Sequence, residues 1–271
     1  MSATTPGLAG TAFGLQGRNA IVLGGGLGMG EAVSVLLAEL GADVAVVDLR
    51  QDLAEGVADR VRSVGRRAVA VTADVLQEDS TLEAFSQASA AIGPIELLAN
   101  IVGMASWASA MDMTDDQWDT DFSRNLRYVW YAARCLARGV RERGATGAVV
   151  SVASMDGMVS APQHAAYGAA KAGLISLTKT LAQEWAPVVR VNAVAPGMIR
   201  TPRTGALLTD EREGELRAKI PMRRLGTPDD IARVASFLLS DLASYVTGHT
   251  IPVDGGILIA GPFIPVADPW T

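Results

Sequence analysis

Three side chains in one short stretch have the types and spacing to move a proton. The stretch covers residues 154–171 and reads SMDGMVSAPQHAAYGAAK. Ser154 closes a run, GAVVSVAS, whose pattern predicts a strand. Tyr167 and Lys171 follow in an alanine-rich stretch that predicts a helix. At a spacing of four residues they share one helix face, one turn apart. An ammonium beside a phenol favours the phenolate, and so lowers a pKa whose ordinary value is about 10. A tyrosine so placed could take or give a proton near neutral pH. The Ser154 hydroxyl could hold a substrate oxygen in front of it. Tyr-x-x-x-Lys alone is a common pattern, so the chemistry depends on the elements around it.

The first of those elements is a glycine loop. Residues 19–23 are a short apolar run, followed by GGGLGMG at 24–30 and an amphipathic stretch at 31–40. Strand, glycine loop and helix are the context of a dinucleotide-binding turn. Gly24 would allow the turn, Gly28 would let a pyrophosphate approach the backbone, and Gly30 would let helix and strand pack closely. The helix start offers free N–H donors to phosphates. A second strand, 43–48, ends in Asp48, 18 residues past Gly30. A carboxylate there would accept hydrogen bonds from ribose hydroxyls. It would repel a 2′-phosphate by roughly 4 kcal/mol at about 4 Å and an effective dielectric near 20. That selects NAD over NADP, although Arg50 stands close enough to blunt the effect.

Further along, residues 67–72 predict a third strand that leads to Asp74, placed either to reach an adenine or to cap a helix starting near Glu78. A fourth, 95–100, ends in Asn100, which either bonds backbone or lines the adenine side. Apolar residues Trp118, Phe122, Leu126, Val129 and Trp130 recur at helical spacing, predicting one long helix over 115–140. Asn125 lies beside that face, either as a structural amide or as a group that breaks the ladder and holds a water. A sixth strand, 188–194, leads into APGMIRTP, a turn at the carboxyl end of a strand, where Thr201 could bond a carboxamide. The polar segment 203–219 reads as a flap, and 249–253 as a last strand. Met104, Trp107, Met155, Asp156, His164 and Met198 would line a pocket. His164, three residues before Tyr167, either faces substrate or packs.

The bulk numbers exclude several classes. The chain has 271 residues, 49% of them hydrophobic, enough for one large α/β domain. A net charge of -6 and a sequence pI near 5.0 argue against a nucleic-acid surface. The single cysteine, Cys135, rules out an internal disulfide framework and suits a reducing compartment. No apolar run reaches bilayer length and the first residues carry no secretory pattern, so a soluble cytoplasmic protein is expected, without membrane partners. Histidines are too few, and too far from other ligands, for a metal cluster. Strand and helix patterns alternate, predicting a Rossmann-type doubly wound parallel sheet of about seven strands with helices on both faces. The expected organisation is a flexible arm at 1–14, one catalytic domain at 15–256 and an apolar tail at 257–271.

Taken together, GGGLGMG, Asp48, ADV at 73–75, NIVG at 100–103, Asn125, Ser154, Tyr167-x-x-x-Lys171, PGMIRTP at 196–202 and VDGG at 253–256 resemble the short-chain dehydrogenase/reductase family, over roughly residues 15–256. The resemblance implies a catalytic tetrad. Asn125 would hold a proton-relay water, Ser154 would orient the carbonyl or alcohol oxygen, Tyr167 would be the general acid/base, and Lys171 would lower its pKa and bond the nicotinamide ribose. It implies NAD bound by Gly24, Gly28, Met29, Asp48, Leu49, Asp74, Val75, Asn100, Gly103, Tyr167, Lys171, Pro196, Gly197, Ile199 and Thr201, and a homotetramer. Three departures stand out: Leu23 where the family often has Thr, Ile101 where a second Asn is usual, and Ala153 where Ser usually precedes the catalytic serine. The activity implied is hydride transfer between NAD(H) and a secondary alcohol or ketone. The alternatives are a 3-oxoacyl-thioester reductase and a catalytically silent nucleotide sensor of the same fold.

Overall fold

A computed structural model of the chain describes residues 13–205 and 209–260. Its frame is a seven-stranded sheet in the order β3-β2-β1-β4-β5-β6-β7, with every neighbouring pair parallel. The strands are β1 (Asn19–Leu23), β2 (Asp43–Asp48), β3 (Ala68–Thr72), β4 (Leu97–Asn100), β5 (Gly147–Val152), β6 (Val189–Pro196) and β7 (Thr250–Val253). All five residues of β1 are buried, because helices cover both faces of the sheet. Ala20 and Val22 pack with helices α1 (Met29–Glu39), α2 (Gln51–Ser63) and the late helix Pro228–Leu239. Ile21 and Leu23 point the other way, towards α3 (Glu78–Ile92) and the helices of the chain's middle third. The period-2 alternation of strand side chains thus divides the interior into two cores.

The strand order reverses between β1 and β4, which opens a crevice at the carboxyl ends of the strands. Residues 24–30, 100–104, 153–158 and 197–201 all leave the sheet at that edge.

The long helix expected over 115–140 is interrupted. It consists of α4 (Asp115–Phe122), a π-helical turn at Ser123–Arg127, and α5 (Tyr128–Glu142). Asn125 supplies the cause. Its Nδ2 donates to the Asp121 carbonyl, one turn back, at 2.9 Å. With that carbonyl satisfied by a side chain, the backbone ladder shifts, and Tyr128 N–H donates to the Ser123 carbonyl five residues back. The apolar stripe is also only partly core. Val129 is buried, whereas Trp118 and Trp130 are 44% and 40% exposed, Trp118 stacked on Phe122.

Besides a four-residue helix at Pro202–Gly205 and short 3-10 turns, the remaining described helices are α6 (Ala165–Trp185), α7 (Asp210–Lys219) and α8 (Pro228–Leu239). Helix α7 lies within the segment expected as a flap. It starts at Thr209, whose hydroxyl accepts from Arg212 N–H. Its Glu213 is buried and ion-paired with both Arg200 and Arg217, which ties the helix to the loop after β6. Phe13, at the end of the expected arm, packs against the core. The rest of that arm, 1–12, and the tail beyond Ala260 lie outside the described residues.

Candidate active site

Ser154 lies two residues past the end of β5, as N-cap of a short 3-10 turn, and its hydroxyl accepts from Asp156 N–H at 3.1 Å. Tyr167 and Lys171 stand on the first turns of α6. The Lys171 ammonium lies 5.6 Å from the centroid of the Tyr167 ring and donates to the Val152 carbonyl at 2.7 Å. The Ser154 hydroxyl lies near enough to the Tyr167 phenol to favour its ionised form. Serine, tyrosine and lysine therefore converge where β5 meets α6.

The titration of the pair differs from the sequence expectation. Burial pushes the Tyr167 phenol up to about 12, with the Asp156 and Asp121 carboxylates acting in the same direction and the Ser154 hydroxyl opposing them. Burial also brings Lys171 down to about 7. Desolvation disfavours both charged forms, and the lysine's donor is directed at a backbone carbonyl. In the protein alone the lysine does not pull the phenol below its ordinary value.

Asn125 reaches the same place from the π turn. Its Nδ2 donates to the Met104 carbonyl at 2.9 Å, and its Oδ1 accepts from Met104 N–H at 3.3 Å. Gly103 sits between Asn125 and Lys171. A Cβ there would stand 2.9 Å from Asn125 Oδ1 and 3.2 Å from Lys171 Nζ. The adjoining Val102 touches the glycine loop, its N 3.1 Å from where a Cβ on Gly24 would be. The backbone at 102–103 thus joins the glycine loop to the reactive cluster.

In the glycine loop, Gly24 and Gly28 have φ of 82° and 61°, a region that favours glycine. A Cβ on Gly30 would lie 1.9 Å from the Gly24 carbonyl oxygen, so only glycine lets α1 start this close to β1. Met29 opens α1 directly after Gly28. Asp48 closes β2 beneath the loop, where its Oδ2 accepts from Gly26 N–H at 3.1 Å and its Oδ1 from Arg50 N–H at 3.1 Å. Each oxygen keeps a further lone pair for a donor. The Arg50 guanidinium makes its close pair with Asp52, at 2.5 Å, and interacts with the Asp48 carboxylate more weakly, from further off. Leu49, beside it, is 68% exposed.

The other expected contacts divide. Asn100 is fully buried, with Nδ2 donating to the Ser151 hydroxyl at 3.0 Å, and its Oδ1 has no partner. Asp74 does not cap α3. Its Oδ1 accepts from Leu76 N–H at 3.0 Å, while Gln77 is the helix N-cap. The Val75 side chain is in the core, which leaves only its backbone to a ligand. Pro196 ends β6 opposite Val253, and Gly197 packs against Asp254. Thr201 lies over the glycine loop, its Cβ 3.8 Å from where a Cβ on Gly28 would be. Its hydroxyl is shared with Thr204, which also donates to the Ile199 carbonyl at 2.7 Å.

Sequence reasoning missed Asp121. It is fully buried, pairs with Arg124 at 2.8 Å, and accepts from Ser106 N–H and hydroxyl. It holds the loop after β4 against α4 and adds negative charge near Tyr167. The signal was the i,i+3 spacing to Arg124 and the i,i+4 spacing to Asn125. Among the described residues, no group of three or more His, Cys, Asp or Glu is placed to hold a metal, and no helix is long and apolar enough to cross a membrane.

The arrangement has counterparts in known proteins. A family model described as enoyl-(acyl carrier protein) reductase matches residues 25–258. The chain is 33% identical to 2-dehydro-3-deoxy-D-gluconate 5-dehydrogenase of Dickeya dadantii, over 91% of this chain and 97% of that one. It is 34% identical to 3-oxoacyl-(acyl-carrier-protein) reductase of Chlamydia pneumoniae, over 90% and 98%. A crystal structure from Sinorhizobium meliloti 1021, provisionally described as a short-chain alcohol dehydrogenase, superimposes with a TM-score of 0.86 at 38% identity, covering 91% of this chain and 98% of that one.

Proposed function

We propose a chemistry for this chain from one premise: it belongs to the short-chain dehydrogenase/reductase family of oxidoreductases. The reaction is reversible hydride transfer between NAD(H) and a secondary alcohol/ketone pair. In oxidation Tyr167 takes the alcohol proton, and in reduction it returns it. The Ser154 hydroxyl bonds the same oxygen and holds it before the phenol. Lys171 stands behind Tyr167, and Asn125 fixes Met104 at the edge of the cleft. The oxidised nicotinamide, when bound, supplies the hydride acceptor and a positive charge that favours the phenolate.

The observation that carries this reading is the shared backbone at 102–103, which touches Gly24 on one side and Asn125 and Lys171 on the other. A dinucleotide laid along the glycine loop would end beside the phenol. The cradle fits such a group. Gly30 lets the helix start reach the loop, and Asn100 keeps a buried acceptor unfilled. Asp48, with Arg50 turned onto Asp52, supports NAD over NADP. The outward stripe of Trp118, Phe122 and Trp130, beside a hollow lined by Leu126, Gly173 and Leu177, supports a subunit contact and hence the homotetramer. A cytoplasmic setting accompanies the use of a nicotinamide cofactor.

The test is a dehydrogenase screen with NAD+ and NADP+ against cyclic, steroidal, sugar and aliphatic secondary alcohols. Tyr167→Phe lowers turnover by about 10²–10⁴-fold on any substrate found. Unchanged turnover excludes Tyr167 as the base. The 34% identity to a 3-oxoacyl-(acyl-carrier-protein) reductase supports a second reading, reduction of an acyl thioester, which a preference for NADPH would favour.

A further inference from the structure

His164 is the N-cap residue of α6, three residues before Tyr167, with its ring edge-on to the tyrosine ring. Its Nδ1 lies 2.9 Å from Asp156 Oδ2. An ionised carboxylate only accepts hydrogen bonds, so Nδ1 carries the proton in this pair. Nε2 is buried and has no partner. The ring is clamped edge-on between Trp107, at 4.1 Å between centroids, and Tyr167, at 5.7 Å. The backbone is held as well, by a bridge between Ala108 and His164 in which Ala108 N–H donates to the Gln163 carbonyl at 3.1 Å. A buried ring nitrogen without a partner is costly to leave unfilled, and this one is oriented on both sides.

We infer that His164 Nε2, oriented by Asp156, binds a second hydroxyl of the substrate, on a carbon adjacent to the one oxidised. The inference rests on the alcohol/ketone reading above and narrows its substrate class to vicinal diols and α-hydroxy ketones. A hydroxyl is the group that suits the site. It donates to Nε2 of a neutral imidazole and accepts from Nε2–H of a charged one. A substrate carboxylate at that point would meet the Asp156 charge across the ring. The His164 and Tyr167 ring centroids are 5.7 Å apart, which sets the imidazole beside the phenol that takes the proton.

The experiment compares matched pairs, cyclohexanol with trans-cyclohexane-1,2-diol and 2-butanol with 2,3-butanediol, on wild type and two variants. His164→Asn keeps a donor for Asp156 and has nothing at the Nε2 position. His164→Gln places a carbonyl or amide near Nε2. Wild type favours each diol by tenfold or more in kcat/KM. Asn removes most of that preference, chiefly through KM, and Gln keeps much of it. A purely structural histidine gives the reverse order, with Asn like wild type and Gln impaired. That order, or a wild type with no diol preference, overturns the inference and leaves the alcohol/ketone reading standing. Wild-type silence on these pairs and on the whole alcohol panel removes both. Melting temperature and cofactor binding, measured by quenching of protein fluorescence, show that each variant is folded.

Discussion

Lys171, buried on α6, donates its ammonium hydrogen to the Val152 carbonyl at the end of β5, at 2.7 Å. Burial lowers its pKa from 10.5 to about 7. Between those two values the unfolded chain holds a proton at this site that the folded chain has released. Stability therefore rises with pH across the window. Wild type gains on Lys171→Met between pH 7 and 10, by at most about 1.4 kcal/mol per pH unit. Below pH 7 both states are protonated and the difference is flat. Urea unfolding of the two proteins at pH 6, 8 and 9.5 checks this, and a difference that is level throughout would contradict it.

Asp48 carries cofactor choice. In Asp48→Ala the like-charge barrier to a 2′-phosphate is gone, and one acceptor for Gly26 N–H is lost. The ratio of kcat/KM for NAD+ over NADP+ should drop at least tenfold, measured on the same substrate. Arg50→Ala is the contrast. Because the Arg50 guanidinium faces Asp52, its removal changes that ratio less than threefold.

Two glycines separate packing from propensity. Gly30→Ala forces a Cβ to within 1.9 Å of the Gly24 carbonyl, so the loop or α1 must move. Overpacking of this kind costs about 1–3 kcal/mol, and here it also disturbs the phosphate-facing loop. Gly56 lies inside α2 with nothing within 4 Å of a Cβ. Gly56→Ala stabilises by roughly 0.8–1 kcal/mol. Opposite shifts in melting temperature are expected, together with loss of cofactor affinity only in the first.

Asn125 ties the π turn to the loop after β4. Asn125→Leu removes its bonds to the buried Asp121 carbonyl and the partly buried Met104 carbonyl and leaves both unpaired. The expected cost is about 2–6 kcal/mol for the two carbonyls, at 1–3 kcal/mol per unsatisfied group. Amide exchange speeds up locally at Met104 and Ser106. Unchanged exchange there would show that Asn125 does not hold the loop.

Much of the architecture was legible in one dimension. Strands buried on both faces must be apolar along their whole length, and helices between them must be amphipathic, so the alternation at 19–23, 43–48 and 147–152 announced a doubly wound sheet. The glycines at 24, 28 and 30 and the Tyr167/Lys171 spacing depend on local geometry, which residue identity and separation specify directly. Other features depend on distant partners. The π turn needed Asn125 to find the Asp121 carbonyl. The direction of the Tyr167 and Lys171 shifts needed the depth of burial, which reversed the expected effect on the phenol. Arg50 turning from Asp48 to Asp52, and the meeting of His164 with Asp156 and Trp107, are choices among partners that the order of residues leaves open. Short-range spacing constrains neighbours on one element; desolvation and long-range pairing arise only when elements from different parts of the chain close around the same point.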